Sequence, residues 1–120
     1  MTMQTEERRI ALRSAFEVAD HLTELAPVPP TEAKVQRDCS RGWKTPGVIL
    51  HFDAGDAVVK FAEVIGTTVT ADTFEFGGQR YTEASAAGVL AGVPFWAWNW
   101  TRITTPVVVS LVKPQMAVAS

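Results

Sequence analysis

VPFWAWNWTRI, residues 93–103, sets tryptophan at 96, 98 and 100 and closes on an arginine. Side chains alternate across a β-strand, so every second residue shares a face. The stretch predicts a strand with an indole ladder on one side and Phe95, Ala97, Asn99 and Thr101 on the other. Which of those two faces is covered decides the fold and decides where a function can sit.

The neighbouring segments supply the rest of the sheet. TVTADTFEF (68–76) and RYTEASAAGVL (80–90) flank Gly77-Gly78, and Ala91-Gly92 separates the second run from the tryptophan strand. Two-residue steps of this kind are hairpin turns. A turn at Gly77-Gly78 sets Glu75 against Arg80, Phe74 against Tyr81 and Thr73 against Thr82, all favourable cross-strand pairs. It also sets Asp72 beside Glu83, which is unfavourable, and predicts that pairing stops or bulges there. A turn at Ala91-Gly92 sets Trp96 opposite Ala87, Trp98 opposite Ser85, Trp100 opposite Glu83, Arg102 opposite Tyr81 and Gly88 opposite Phe95. Large residues lie opposite small ones, and the two registers agree.

Further out, VILHF (48–52) reads as a short apolar strand. Asp53 and Asp56 offer an N-cap and an acidic first turn for a helix with a Val58, Phe61, Ala62 and Ile65 stripe, which Gly66 ends. Residues 6–25 form an amphipathic helix with Ala11, Ala15, Val18, Leu22 and Leu25 inside and Leu12, Phe16 and Ala19 widening the stripe. It stops before APVPP at 26–30, because proline removes a backbone donor and forces its predecessor extended. Residues 26–47 are read as a proline-rich, locally basic connector with Lys34, Arg37, Arg41 and Lys44, containing at most one helical turn. VVVSLV (107–112) reads as a last strand and residues 114–120 as a tail.

The expected architecture is α+β in a single domain: an N-terminal helix, then a βαβββ(β) unit over 48–113 with a mainly antiparallel sheet. Trp96, Trp98 and Trp100 share a face with Phe74 and Tyr81, aromatics that can each bury on the order of 150–250 Å². A monomer rarely leaves such a patch open, and two amphipathic helices need something to cover. The helices are therefore expected on the aromatic face, with Trp96 and Trp98 buried in the core or a dimer interface. Tyr81, Glu83, Trp100 and Arg102 cluster at the thinly covered end and are the expected binding residues, with Arg102 able to stack on an aromatic ring.

Composition narrows the function classes. The chain has 120 residues, 47% hydrophobic and 20% charged, with net charge −2. No basic field calls for nucleic acid, and between Asp53 and Arg102 there are six acids and three bases, so nucleic acid is not an expected partner. No apolar run approaches the roughly 20 residues of a membrane span and the start lacks a signal core, so a cytoplasmic protein without membrane association is expected. The single cysteine, Cys39, reads as an inert loop thiol, since no histidine or helix start stands beside it to activate it. His21 reads as a solvated helix residue. His51 is the one histidine placed as a base or ligand, but no HExxH, CxxC or second histidine accompanies it. No catalytic residues, metal or cofactor are expected.

Two resemblances attach to these residues. The strand–helix–three-strand order from Val48 to Ile103, with LHFDAGDAVVKFAEVIG at its front, resembles one βαβββ half of a glyoxalase-type (vicinal oxygen chelate) protein. That family places a metal-binding acid on a late strand, where FWAWNWTR has none. The wider layout, ending in GVPFWAWN, resembles small proteins of actinobacteria and their phages, a group that implies no activity but suggests a phage or mobile-element association. The expected function is an interaction protein, a homodimer or a binder of a host or phage protein. The alternative is a small-ligand-binding or enzymatic βαβββ dimer with a pocket floored by Trp98 and Trp100.

Overall fold

The computed structural model describes residues 2–104, with side chains from residue 5 onward. Helix α1 (Thr2–Leu25) leads to strand β1 (Glu32–Gln36), a 3₁₀ turn at Cys39–Arg41, strand β2 (Gly47–His51) and helix α2 (Gly55–Ile65). Strands β3 (Val69–Phe76), β4 (Gln79–Leu90) and β5 (Val93–Arg102) follow. They form one five-stranded sheet in the order β1-β2-β5-β4-β3. Every pairing is antiparallel except that of β2 with β5, and the α+β class holds. The strand expected at 107–112 and the tail at 114–120 lie outside the described residues.

Both hairpins take the registers read from the sequence. Gly77 and Gly78 have φ of 60° and 79°, and the Ala91-Gly92 turn has 51° and 79°, the left-handed pairs that a tight two-residue turn requires. Asp72 does pair with Glu83 and the ladder continues to Val69–Ala86 without a bulge; the like-charge pair is exposed enough for water to screen it. The connector is more ordered than expected. Residues 32–36 form an edge strand on β2, Ala33 opposite Leu50 and Val35 opposite Val48. Only Val35 of its five residues is partly buried, and an alternation of just Ala33 and Val35 is too short to mark a charged edge strand.

The covered face is the opposite of the expected one. Val48 and Leu50 on β2, Phe95 and Ala97 on β5, and Ala86 on β4 are buried with Phe52 after β2, and with Ala57, Val58, Phe61 and Ala62 of α2 and Ala15, Val18, Ala19 and Leu22 of α1. The helices lie on that side, and Trp96, Trp98 and Trp100 point away from them. The physical reason is closeness of approach. Ala84, Ala86, Gly88 and Ala97 let α2 sit near the sheet, with Phe52, Phe61 and Phe95 filling the space between. Phe61 packs 5.5 Å from Phe52 and edge-on 5.9 Å from Phe95. Indoles on that face would have held the helix away. Gly88 shows how tight the fit is, since a Cβ there would stand 2.8 Å from Phe95 Cζ.

Two smaller expectations also change. Ala54, not Asp53, is the N-cap of α2, with no side-chain bond, although Asp56 does occupy the first turn and Gly66 the left-handed C-cap. The buried stripe of α1 is narrower than its apolar residues suggest: Leu12, Phe16 and Leu25 are exposed. One polar side chain is fully covered. Asn99 donates from Nδ2 to the Phe52 carbonyl (3.0 Å) and accepts from Thr101 Oγ1 (2.8 Å), which ties β5 to the loop entering α2 and meets the hydrogen-bonding demand of a buried amide.

Candidate functional site: the open face of the sheet

The uncovered side of the sheet carries a continuous aromatic ladder. Trp96 and Trp98 are stacked almost parallel, 15° apart with centroids at 5.6 Å, and Trp98 meets Trp100 edge-on at 5.6 Å. Trp100 continues to Phe74 at 4.7 Å, Tyr81 at 5.7 Å and Phe76 at 5.8 Å. Trp96 and Trp98 are half-buried by their neighbours, while Trp100 is 39% and Phe76 63% exposed. The ladder is held at both ends by polar groups. Trp100 Nε1 donates to Glu83 Oε2 (2.8 Å), and the Arg41 guanidinium lies 3.3 Å above the Trp96 ring, a cation–π contact.

The expected binding residues do gather at one end. Tyr81, Glu83 and Trp100 touch, and Arg102 is level with Tyr81 in register. Arg102 is not the arginine that stacks. Among the described residues that place belongs to Arg41, because the 3₁₀ turn folds the connector over the Trp96 end. Asp38 caps this turn, accepting from the Ser40 backbone N–H, and pairs with Arg41 at 3.1 Å. The Ser40 hydroxyl, the Ser40 N–H and the Arg41 charge hold the Asp38 carboxyl below its usual range. The sequence signal for this was faint: a basic residue in a polar segment, 55 positions before the ring it covers.

His51 also belongs to the ladder, 4.4 Å from Trp98, because the parallel register sets it beside that residue. Its Nδ1 is 2.7 Å from Thr31 Oγ1. On this flank lies a shallow hollow of about 280 Å³ lined by Trp96, Trp98, Trp100, Ile49, His51 and Lys34 among others. The remaining connector cations, Arg37 and Lys44, face a separate groove of about 520 Å³ beside Arg8 and Leu12 of α1. His21 and Cys39 are exposed. Among the described residues no three His, Cys, Asp or Glu side chains are grouped to hold a metal ion, and no helix is long and apolar enough to cross a membrane.

Set against protein-family models, curated proteins and solved structures, the chain finds no match in any of the three comparisons.

Proposed function

We propose that this protein is a non-enzymatic interaction protein whose working surface is the open face of its sheet. The observation that carries the reading is that both helices cover the small-residue face and leave the aromatic ladder outside. A contiguous exposed apolar patch rimmed by charge is the usual mark of a protein interface, and tryptophan, tyrosine and arginine are the residues that anchor one. The ladder is poorly suited to nucleobases or other flat ligands. The rings of Trp96 and Trp98 are engaged by Arg41, by each other and by His51, and the far end carries Asp72 and Glu83 rather than a basic groove.

The homodimer expected from the sequence is one way to cover this face, and a host or phage protein is the other. The cytoplasmic location and the phage or actinobacterial association belong to the same proposal; the latter rests on the likeness of the GVPFWAWN layout alone. In a pull-down from lysate of the source organism, Trp100→Ala with Arg102→Ala is expected to keep the fold by circular dichroism and to lose what the wild-type chain captures. Capture that survives this change but disappears with Arg37→Glu and Lys44→Glu would move the function to the groove beside α1.

A second reading is favoured by one feature, the His51 hollow. Its three indoles, imidazole and Lys34 converge as a small-ligand site would, although its volume falls at the lower end of such pockets. Ligand-induced quenching of tryptophan fluorescence that His51→Ala abolishes would select it.

A further inference from the structure

Resting on the interaction reading above, we infer that the open face is occupied by a second copy of this chain, related by a two-fold axis running along the strands between β4 and β5. The face is a ridge with a trough beside it. Trp96, Trp98 and Trp100 on β5 form the ridge, and their register partners on β4 are Ala87, Ser85 and Glu83. A two-fold axis between these strands lays each copy's β5 over the other's β4 at the same level. Trp98 then meets Ser85 of the second copy, clear of the Trp96 end that Arg41 covers. Bulk meets space on both sides of the axis, which is the self-complementarity an isologous interface needs.

The charges favour a second copy over an unrelated protein. Asp72 and Glu83 stand directly opposite one another on this face, and among the described residues no lysine or arginine is in ion-pair range of either. Like charges opposed across strands repel. Arg102 lies on the same face and also has no carboxylate in range. Within one chain Arg102 is level with Tyr81, two residues along from Glu83 on the neighbouring strand, and forms no ion pair with it. The two-fold axis lays Arg102 over Tyr81 of the second copy, two residues along the strand from its Glu83. That is about 6.8 Å at strand rise, a span an extended arginine covers. The axis thus brings each copy's Arg102 within reach of the other's Glu83, once on each side.

The axis sets β5 over β4 and β2 over β3 of the second copy and leaves β1 without a counterpart. The overlapping strands, five to twelve residues long at about 4.8 Å spacing, cover on the order of 500 Å² per copy, within the range of weak, concentration-dependent interfaces below about 1,200 Å² in total. Sheets packed in this way stack face to face about 10 Å apart.

Sedimentation velocity on the full chain tests the arrangement. The wild type is expected to dimerise with concentration, and Arg102→Glu and Glu83→Lys each to weaken the dimer by about tenfold or more with circular dichroism unchanged. Mixing the two variants is the discriminating step. Each bears one wild-type half of the ion pair, so opposite charges meet at both contacts and a mixed dimer reforms. Ser85→Leu, which fills the trough and adds no charge to the ladder, is expected to give a monomer that no mixing rescues. A wild type that remains monomeric at several hundred micromolar overturns the inference. So do single variants that dimerise like the wild type. If the wild type is monomeric while Trp100→Ala with Arg102→Ala still loses its captured protein, the second copy is refuted and the interaction surface stands. If that capture is unaffected too, both fail.

Discussion

Single residues show where local chemistry and the fold disagree. Ala91 holds φ of 51° in a turn whose other member is Gly92. A left-handed conformation costs an L-residue roughly 1–2 kcal/mol, and glycine there loses about 0.5–1 kcal/mol through the unfolded chain. Ala91→Gly is thus expected to stabilise the protein by about 0.5–1 kcal/mol, read as a melting temperature a few degrees higher; a decrease would mean that the methyl group makes a contact worth more than the strain. Asp38 makes a prediction in pH. Its carboxyl is held below the usual range, first by the Ser40 hydroxyl and then by the Ser40 N–H and Arg41. A depressed acid contributes stability that is present above its unfolded pKa and lost as pH falls through the folded one. The turn that seats Arg41 on Trp96 should therefore persist through mildly acidic pH and release only below the ordinary carboxylate range of about 3.9. A tryptophan emission change at that low pH, absent in Asp38→Asn, is the expected signature.

Elements show how the two faces of one strand differ in energy. Phe95 is 1% exposed and packed against Phe61 and Gly88, so Phe95→Ala should cost about 3–5 kcal/mol. Trp98 is larger but half-buried on the open side, and Trp98→Ala should cost about 1–2 kcal/mol in the monomer. Denaturant melts at low protein concentration decide the order, and equal losses would mean that the ladder is covered after all. Asn99→Ala leaves the Phe52 carbonyl and Thr101 hydroxyl without their buried partner and should cost about 1–3 kcal/mol. Both hairpins were legible because a two-residue turn leaves one register, and Phe74–Tyr81 and Gly88–Phe95 agree with it. Strand β1 was not legible: its apolar side is only Ala33 and Val35, and main-chain pairing with β2 orders it, beginning with Thr31 N–H to the His51 carbonyl at 2.8 Å.

At the scale of the molecule, one layer of helices on one side of the sheet leaves the other side, with its aromatic ladder, uncovered. The apolar residues of the helices do not change this. Phe16, 58% exposed, and Leu12 sit outside the stripe that α1 buries, so they add surface instead of covering the tryptophans. That Tyr81, Glu83, Trp100 and Arg102 share one end of the face was legible, because these positions follow from the hairpin register alone. Arg41 and His51 were beyond that reach, because they arrive at the ladder from the connector and from β2 through contacts between distant segments.

What the sequence by itself determined is local: two helices, the turns, and the registers of β3–β4 and β4–β5, though not that β3 stays paired past Asp72, each decided by periodicity of 2 or 3.6 and by two-residue turns. Alternation also determined which side chains share a face, but not which face is inside. That was decided only by the tertiary structure, through the parallel pairing of β2 with β5, which sets Val48 beside Phe95 and Leu50 beside Ala97. With Phe52 and the alanines of β4 these make a surface that α2 can approach closely, whereas the indoles, the most hydrophobic-looking residues of the chain, are too bulky to lie beneath it. Packing at close range selected the smaller face, and the ladder was left outside.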